Sequence, residues 1–103
     1  MKKKGTAGDK DADKPAYVFV LYITGNTPNS IRAINNLKDI CETRIPGQYR
    51  LEVVDVHQQP ALAQQEQIIA LPLLIRKFPL PERKLIGDLS DTEKVLRILN
   101  LSF

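Results

Sequence analysis

Few residues in this sequence could act as nucleophiles, acid–base groups or metal ligands in a pattern typical of an enzyme. The chain has one cysteine, Cys41, and one histidine, His57. One cysteine cannot form an internal disulfide, and one histidine without a suitably spaced serine, cysteine or carboxylate pair predicts neither a triad nor a metal site. We therefore expect Cys41 to be a core residue, His57 to be a solvated loop residue, and the chain to use no metal and no other cofactor.

Composition and charge narrow the function classes further. At 103 residues and 43% hydrophobic, the chain is predicted to form one domain with one core. Residues 1–14 contain five lysines and three aspartates without apolar periodicity, which predicts a disordered tail before a single domain at residues 15–103. This tail carries +2 of the net charge of +3, so we expect no nucleic-acid partner. No apolar run is long enough for a signal or membrane segment, so we expect a cytoplasmic protein with no membrane partner.

The elements that would position any site begin with the apolar run YVFVLYI at residues 17–23. Seven successive apolar or aromatic residues predict a central strand that is covered on both faces. A turn follows, in which Gly25 supplies an unusual backbone angle, Thr27 caps a helix and Pro28 occupies the first helical position. This is the strand-turn-helix unit of an α/β domain.

The helix after this turn is predicted to be amphipathic and roughly fourteen residues long, ending at Ile45-Pro46-Gly47. Its buried stripe is predicted from apolar residues spaced three or four apart: Ile31, Ile34, Leu37, Cys41 and Ile45.

The second half of the chain is predicted to contain three strands and two helices. Strand 49–56 alternates at first, with Tyr49, Leu51 and Val53 on one face, and should lie near a sheet edge, parallel to the first strand. The other predicted elements are a short helix over 61–68 after Pro60, a hairpin of strands 73–78 and 83–87, and a last helix with Ser90 and Glu93 as a capping box.

The resulting order, β-α-β-α-β-β-α, is the thioredoxin-like pattern, with Pro72 just before the third strand. Thioredoxin chemistry requires a thiolate at the start of the first helix and a second thiol three residues later. The matching residues here are Thr27, Pro28, Asn29 and Ser30, and Cys41 lies more than two turns farther along. We therefore predict a thioredoxin-like scaffold without redox chemistry.

Four segments resemble one protein family: LYITGNTPNSIRAINNL at 21–37, LEVVDVHQQPALA at 51–63, ALPLL at 70–74 and RKLIGDLSDTEKVL at 83–96. Together they resemble the KaiB family of circadian-clock proteins and their non-clock relatives, over about residues 16–99. The resemblance implies a non-catalytic module that binds the hexameric ATPase KaiC, and in true clocks also KaiA and an output histidine kinase. It also implies two folds: a thioredoxin-like monomer that binds KaiC, and a tetramer with a rearranged C-terminal half.

The resemblance also implies which residues contact partners. Arg83, Lys84 and Asp88 are the expected KaiC contacts, and Pro72 and Gly87 the expected conformational hinges. On the residues alone, Arg83 and Lys84 equally fit an edge strand that charge protects from pairing, while Pro72 and Gly87 fit an ordinary strand start and turn.

Two residues of the predicted last helix differ from the clock members of the family. The resemblance implies glycine and aspartate in those members where this chain has Ile98 and Asn100. Isoleucine favours a helix over glycine by a few tenths of a kcal/mol, and loss of a carboxylate near the helix end removes about 0.3–1 kcal/mol of repulsion. We therefore predict that the chain rests in the thioredoxin-like state. The sequence is compatible with a homo-oligomer, either a dimer or a tetramer.

Two further departures concern the surface that clock members use for KaiA and the output kinase. The resemblance implies a lysine in clock members at two positions where this chain differs. These positions hold Glu52 on the second predicted strand and Val20 on the first predicted strand. A reversed charge disfavours a partner selected for the opposite sign. We therefore expect a KaiB–KaiC pair without KaiA, in timing or stress response in a bacterium. The alternative, a thiol redox protein using Cys41, lacks a second thiol.

Overall fold

The computed structural model describes residues 15–65, 68 and 70–101, so the predicted tail at 1–14 lies outside the described residues. The predicted order of elements is confirmed. The elements are β1 (Tyr17–Ile23), α1 (Pro28–Arg44), β2 (Tyr49–Asp55), α2 (Pro60–Gln65), β3 (Leu73–Phe78), β4 (Arg83–Ile86) and α3 (Thr92–Leu99).

The strands form one four-stranded sheet in the order β2-β1-β3-β4. β1 runs parallel to β2 and antiparallel to β3, and β3 pairs antiparallel with β4. This arrangement confirms the parallel crossover through α1, the edge position of β2 and the C-terminal hairpin. It is the topology of a thioredoxin-like domain.

The central strand β1 separates two apolar clusters. Phe19, Leu21 and Ile23 lie in the main cluster, which also contains buried residues of α1 and α3. Val20 and Tyr22 lie in a smaller cluster on the opposite face, together with residues of β2 and β3. Successive side chains of a strand point to opposite faces, so an uninterrupted apolar run is the pattern expected of a strand buried on both sides.

Helix α1 starts where the sequence predicts, and Leu37, Cys41 and Ile45 of the predicted stripe are buried, but its first turn differs. The hydroxyl oxygen of Thr27 accepts a hydrogen bond from the N–H of Ser30, and Pro28 is the first helical residue. Ile31, predicted to be buried, is 46% exposed, whereas Ser30 is buried. Serine can occupy this buried position because its hydroxyl oxygen accepts a bond from the N–H of Thr24, at 3.2 Å. The buried residues of α1 are Ser30, Ala33, Leu37, Ile40 and Cys41.

Strand β2 also differs from the simple alternation predicted for it. Tyr49 and Leu51 pack against the main cluster, but Val53 on the same face is 38% exposed. Val54, on the other face, is 1% exposed within the smaller cluster. β2 is an edge strand of the sheet, and among the described residues no strand lies on its outer side, which fits the exposure of Val53.

Helix α3 is capped by a residue other than the one predicted. The carboxylate of Asp91, not the hydroxyl of Ser90, accepts a hydrogen bond from the N–H of Lys94, at 3.2 Å. Ser90 lies one residue before this cap, in the turn where its N–H donates to the carboxylate of Asp88. At the other end, Asn100 adopts a left-handed conformation with φ 60° and stops the helix.

Candidate functional site

The residues predicted to bind a partner are found at one edge of the sheet, with one exception. Arg83 and Lys84 are exposed on β4, which is the other edge strand of the sheet in the part of the chain that the structure describes. Asp88 follows two residues after the end of β4. Glu52 is also exposed, but it lies on β2 at the opposite edge, with β1 and β3 between. Glu52 therefore belongs to a different surface from the other three.

The two predicted hinge residues contact each other directly. The N–H of Gly87 donates a hydrogen bond to the carbonyl oxygen of Pro72, at 2.9 Å. Gly87 has φ +121°, a conformation that is readily adopted only by glycine. Pro72 is buried, and the Leu71–Pro72 peptide bond is cis. This bond continues the pairing of β3 and β4 by one residue beyond Leu73 and Ile86.

Asp88 fixes the segment after β4 to helix α1. Its Oδ2 accepts a hydrogen bond from Nε of Arg32 at 3.3 Å, and its backbone oxygen accepts one from Nδ2 of Asn36 at 2.8 Å. Its Oδ1 accepts a bond from the N–H of Ser90 at 3.1 Å. Hydrogen bonds from Ser90, followed by the bond and charge of Arg32, lower the pKa of Asp88. We call residues 87–90 the anchored segment.

A cavity of about 200 Å³ adjoins this segment. It is lined by the anchored segment, by Leu85 and Ile86 of β4, and by Asp91, Lys94 and Val95 at the start of α3. The cavity therefore connects Leu85 and Ile86 of β4, the anchored segment and the first turn of α3.

The remaining two predicted positions lie on α3 and beyond it. Ile98 is partly buried and packs against the main cluster. Asn100 is exposed, and its left-handed backbone brings the N–H of Leu101 within 2.7 Å of the carbonyl oxygen of Leu96. Ile98 thus contributes packing as well as helix propensity, and Asn100 acts chiefly through its backbone.

Sequence reasoning did not identify Arg76, the one charged residue among the described side chains that is buried. Arg76 is 3% exposed. Its Nη1 donates to the carbonyl oxygen of Leu99 at 2.6 Å and its Nη2 to that of Pro81 at 3.0 Å. Burial, and secondly the charge of Arg83, lowers the pKa of this guanidinium. Its only sequence signal was a basic residue inside an apolar strand.

The position that carries the thiols in redox-active members of this fold contains hydroxyl groups here. The Thr27 hydroxyl donates to Oγ of Ser30 at 2.7 Å. A groove of about 440 Å³ adjoins Thr27 and extends to Leu71 and Pro72. Cys41 is fully buried in α1, and burial, then the charge of Glu42, raises its pKa to about 12. The structure thus confirms Cys41 as a core residue.

Comparison with known proteins identifies the family. The KaiB domain matches residues 20–101. The chain belongs to the KaiB family. It is 51% identical over 92 residues to the circadian clock oscillator protein KaiB of Prochlorococcus marinus (strain MIT 9515), covering 89% of this chain and 85% of the relative. It is 53% identical over 90 residues to the KaiB of a Picosynechococcus species (strain ATCC 27264), covering 87% and 86%.

Solved structures support the same fold. The N-terminal domain of SasA from Synechococcus elongatus matches with a TM-score of 0.68 at 21% identity, covering 99% of this chain and 93% of that domain. Mitochondrial thioredoxin 3 from Saccharomyces cerevisiae matches with a TM-score of 0.67 at 15% identity, covering 89% and 85%. At these identities the matches establish a thioredoxin-like fold.

Among residues 15–65, 68 and 70–101, no helix is both long enough and apolar enough to cross a bilayer.

Proposed function

We propose that this KaiB-family protein is a non-catalytic regulator that binds the hexameric ATPase KaiC and modulates its ATPase activity and phosphorylation state. Its curated relatives are circadian clock oscillator proteins, which supports a regulatory role in timing. The KaiC contacts are proposed on the surface formed by Arg83, Lys84 and Asp88.

The observation that carries this proposal is the anchored segment. It is tied to β3 through Pro72 and to α1 through Arg32 and Asn36, so it holds Asp88 in one position relative to the exposed basic residues of β4. A surface whose geometry is set before binding loses less entropy on association than a mobile loop does. This edge of the sheet is therefore a ready docking surface for a protein partner.

Glu52, at the opposite edge of the sheet, supports a system without KaiA because it presents a negative charge on an exposed strand. Val20, its neighbour on β1, is 8% exposed within the smaller apolar cluster, so this second departure lies in the core and not on the partner surface predicted from the sequence. Both residues differ from the lysines that clock members carry. We infer a KaiB–KaiC pair that acts in timing or stress response without KaiA.

The test is co-purification of this chain with KaiC in the presence of ATP or ADP, together with the rate of ATP hydrolysis. K84E should weaken binding about tenfold or more, because a reversed charge at the contact acts against a partner selected for a cation. K38E makes the same change at an exposed lysine on α1, away from this surface, and should leave binding unchanged.

The outcomes separate clearly. Absence of binding in both nucleotide states would remove the proposal. Binding that K38E and K84E weaken equally would retain KaiC as partner and reject the β4 surface.

A further inference from the structure

Leu89, in the anchored segment, has an unusual backbone conformation for its residue type. Its φ is +63°, in the left-handed region that glycine and asparagine adopt far more readily than leucine. Its side chain is 4% exposed and belongs to the main cluster. Burial of this side chain accounts for the choice of leucine, but another contact must hold its backbone at a positive φ. Strained residues persist where the surrounding structure imposes the conformation, and they cluster at switch regions.

The peptide group between Asp88 and Leu89 is held by one side chain of α1. Its carbonyl oxygen, that of Asp88, accepts a hydrogen bond from Nδ2 of Asn36 at 2.8 Å. Its N–H, that of Leu89, takes part in no hydrogen bond among the described residues. The N–H groups of Gly87 and Ser90, on either side, are both bonded elsewhere in the fold. The neighbouring backbone is thus fixed, and this peptide depends on Asn36.

Rotation of this peptide plane would relieve the strain. Such a rotation changes ψ of the first residue and φ of the second, and it is the difference between type I and type II turns. It would bring φ of Leu89 to a negative value and leave the Cα atoms nearly in place, so the leucine side chain need not leave the main cluster. It would also turn the carbonyl oxygen of Asp88 away from Asn36. Relief of the strain and the bond to Asn36 therefore exclude each other.

We propose that the peptide between Asp88 and Leu89 is a two-state switch, which the side-chain amide of Asn36 holds in its strained arrangement. In the second arrangement the peptide plane is reversed, and the N–H of Leu89 faces α1 in place of the carbonyl oxygen. Asparagine suits this role because its amide has both donors and an acceptor, so it can bond to either arrangement. The inference goes beyond KaiC binding, because the switch is a property of the isolated chain.

The two arrangements are close in free energy. The strain of one left-handed residue is of the same order as the net contribution of one hydrogen bond. In the native protein the bond prevails, since Leu89 has a positive φ. Loss of the bond should shift the equilibrium about tenfold toward a negative φ. Helix α1 thus controls the backbone of the anchored segment through the side chain of Asn36.

The switch also bears on the surface proposed for KaiC, because Asp88 is one of the proposed contacts. Reversal of the peptide would turn the carbonyl oxygen of Asp88 away from α1. A partner shifts such an equilibrium only by its differential affinity for the two arrangements. If the strained arrangement is the one that docks, Asn36 is a positioning residue for KaiC binding. This consequence rests on the proposed function, whereas the switch does not.

The test of the switch is NMR of the isolated full chain. A strong NOE between the amide and α protons of one residue indicates a positive φ, because the two protons are closer there than at a negative φ. We expect this NOE for Leu89 in the wild-type protein. N36A should weaken it and add exchange broadening at residues 88–90. N36D should abolish it, because a carboxylate accepts from the N–H of Leu89 but cannot donate to the carbonyl oxygen.

Matched variants separate the switch from general effects of substitution. N35A and N35D make the same changes at an exposed neighbour on α1 and should leave the NOE unchanged. L89A and L89G both remove the buried side chain, but only alanine retains the steric cost of a positive φ. In urea titration, the equilibrium constant of unfolding should therefore be about threefold or more smaller for L89G than for L89A.

An unchanged NOE in both N36A and N36D would overturn the proposal, and so would greater stability of L89A than of L89G. The docking role is measured by co-purification with KaiC, in which N36D should bind about threefold or more weakly than N35D. Equal binding of these two variants would overturn the docking role of Asn36. Absence of KaiC binding by the wild-type protein would remove the proposed function, while the NMR result decides the switch.

Discussion

Arg76 joins three parts of the C-terminal half through one guanidinium group. From β3 it reaches the end of α3 at Leu99 and the hairpin turn at Pro81. The carbonyl of Leu99 is among the last of its helix and has no partner within the helix. A buried cation is retained where it satisfies such groups, and here it connects the last helix to the hairpin.

Replacing Arg76 by lysine should therefore destabilise the fold. A single ammonium group cannot reproduce the two directed bonds of a guanidinium, and a hydrogen bond to a charged group contributes about 1.5–3 kcal/mol. We expect R76K to lower the free energy of unfolding by about 1–3 kcal/mol in urea titration. R97K, at an exposed arginine of α3, is the matched control and should change it little. Equal stability of the two variants would show that the bonds of Arg76 contribute nothing.

The thiol of Cys41 should be chemically silent in the native protein. With its pKa raised to about 12 by burial, the thiol carries almost no thiolate at pH 8. We expect no alkylation by iodoacetamide in the folded state and rapid alkylation in urea, measured by mass spectrometry. Disulfide reductase activity that Cys41→Ser abolishes would instead establish a thiol redox function.

The same shift makes a pH prediction for stability. The folded-state pKa of Cys41 is raised from 9.0 to about 12, so the unfolded chain loses this proton first. The protonated thiol of Cys41 therefore contributes fully to the free energy of unfolding below pH 9, and this contribution is lost as the pH rises from 9 to 12. Cys41→Ala should therefore lose less stability than the wild-type protein over this interval.

At the scale of elements, two residues that sequence spacing alone did not identify as caps set the start and the end of α3. Asp91 caps its start, and Asn100 ends it in a left-handed conformation. Asparagine tolerates this conformation better than most residues, because its short polar side chain hydrogen-bonds locally. Asn100 thus has two effects: its left-handed backbone ends the helix, and its neutral side chain avoids a carboxylate near the helix C-terminus.

The corrected cap can be tested directly. D91A removes the side chain that accepts a bond from Lys94, and should cost about 0.5–2 kcal/mol of stability. S90A should cost much less, since the structure assigns no capping bond to its hydroxyl. Denaturant unfolding of both variants measures the difference. A larger loss in S90A would restore the cap predicted from the sequence.

For the whole molecule, the main question is which fold the C-terminal half prefers. Residues 92–99 are helical and the domain is thioredoxin-like. Ile98 packs against the main cluster, so it stabilises this state by burial in addition to the propensity difference of a few tenths of a kcal/mol. The prediction that the rearranged tetramer is not the resting state follows from these contributions.

Reinstating glycine and aspartate should shift the chain toward the rearranged form. We expect the double variant I98G/N100D to lose helix at residues 92–99, through loss of helix propensity, packing and a favourable helix end. Backbone amide NMR and sedimentation of the variant and the wild-type protein measure this shift. Finding the wild-type protein itself as a tetramer with residues 88–103 non-helical would contradict the prediction.

The sequence by itself determined the order of elements, because local signals are strong in this chain. Each signal lies within a few residues of the element that it specifies. Examples are the apolar run at 17–23, the helix-start residues Thr27 and Pro28, and the segments that resemble the family. The same signals showed that no thiol pair stands at the thioredoxin position. Residues of the candidate site were identified chiefly through the family resemblance.

Only the tertiary structure decided how these residues meet. Arg32 bonds to Asp88 across 56 positions of the chain, and Gly87 bonds to Pro72, contacts for which no local pattern exists. The burial of Ser30 and the exposure of Ile31 at the start of α1 likewise depend on the sheet that the helix packs against. Local propensity does not specify which residues of a helix are buried or which distant residues form hydrogen bonds. Long-range packing decides both, so these features are determined only in the folded chain.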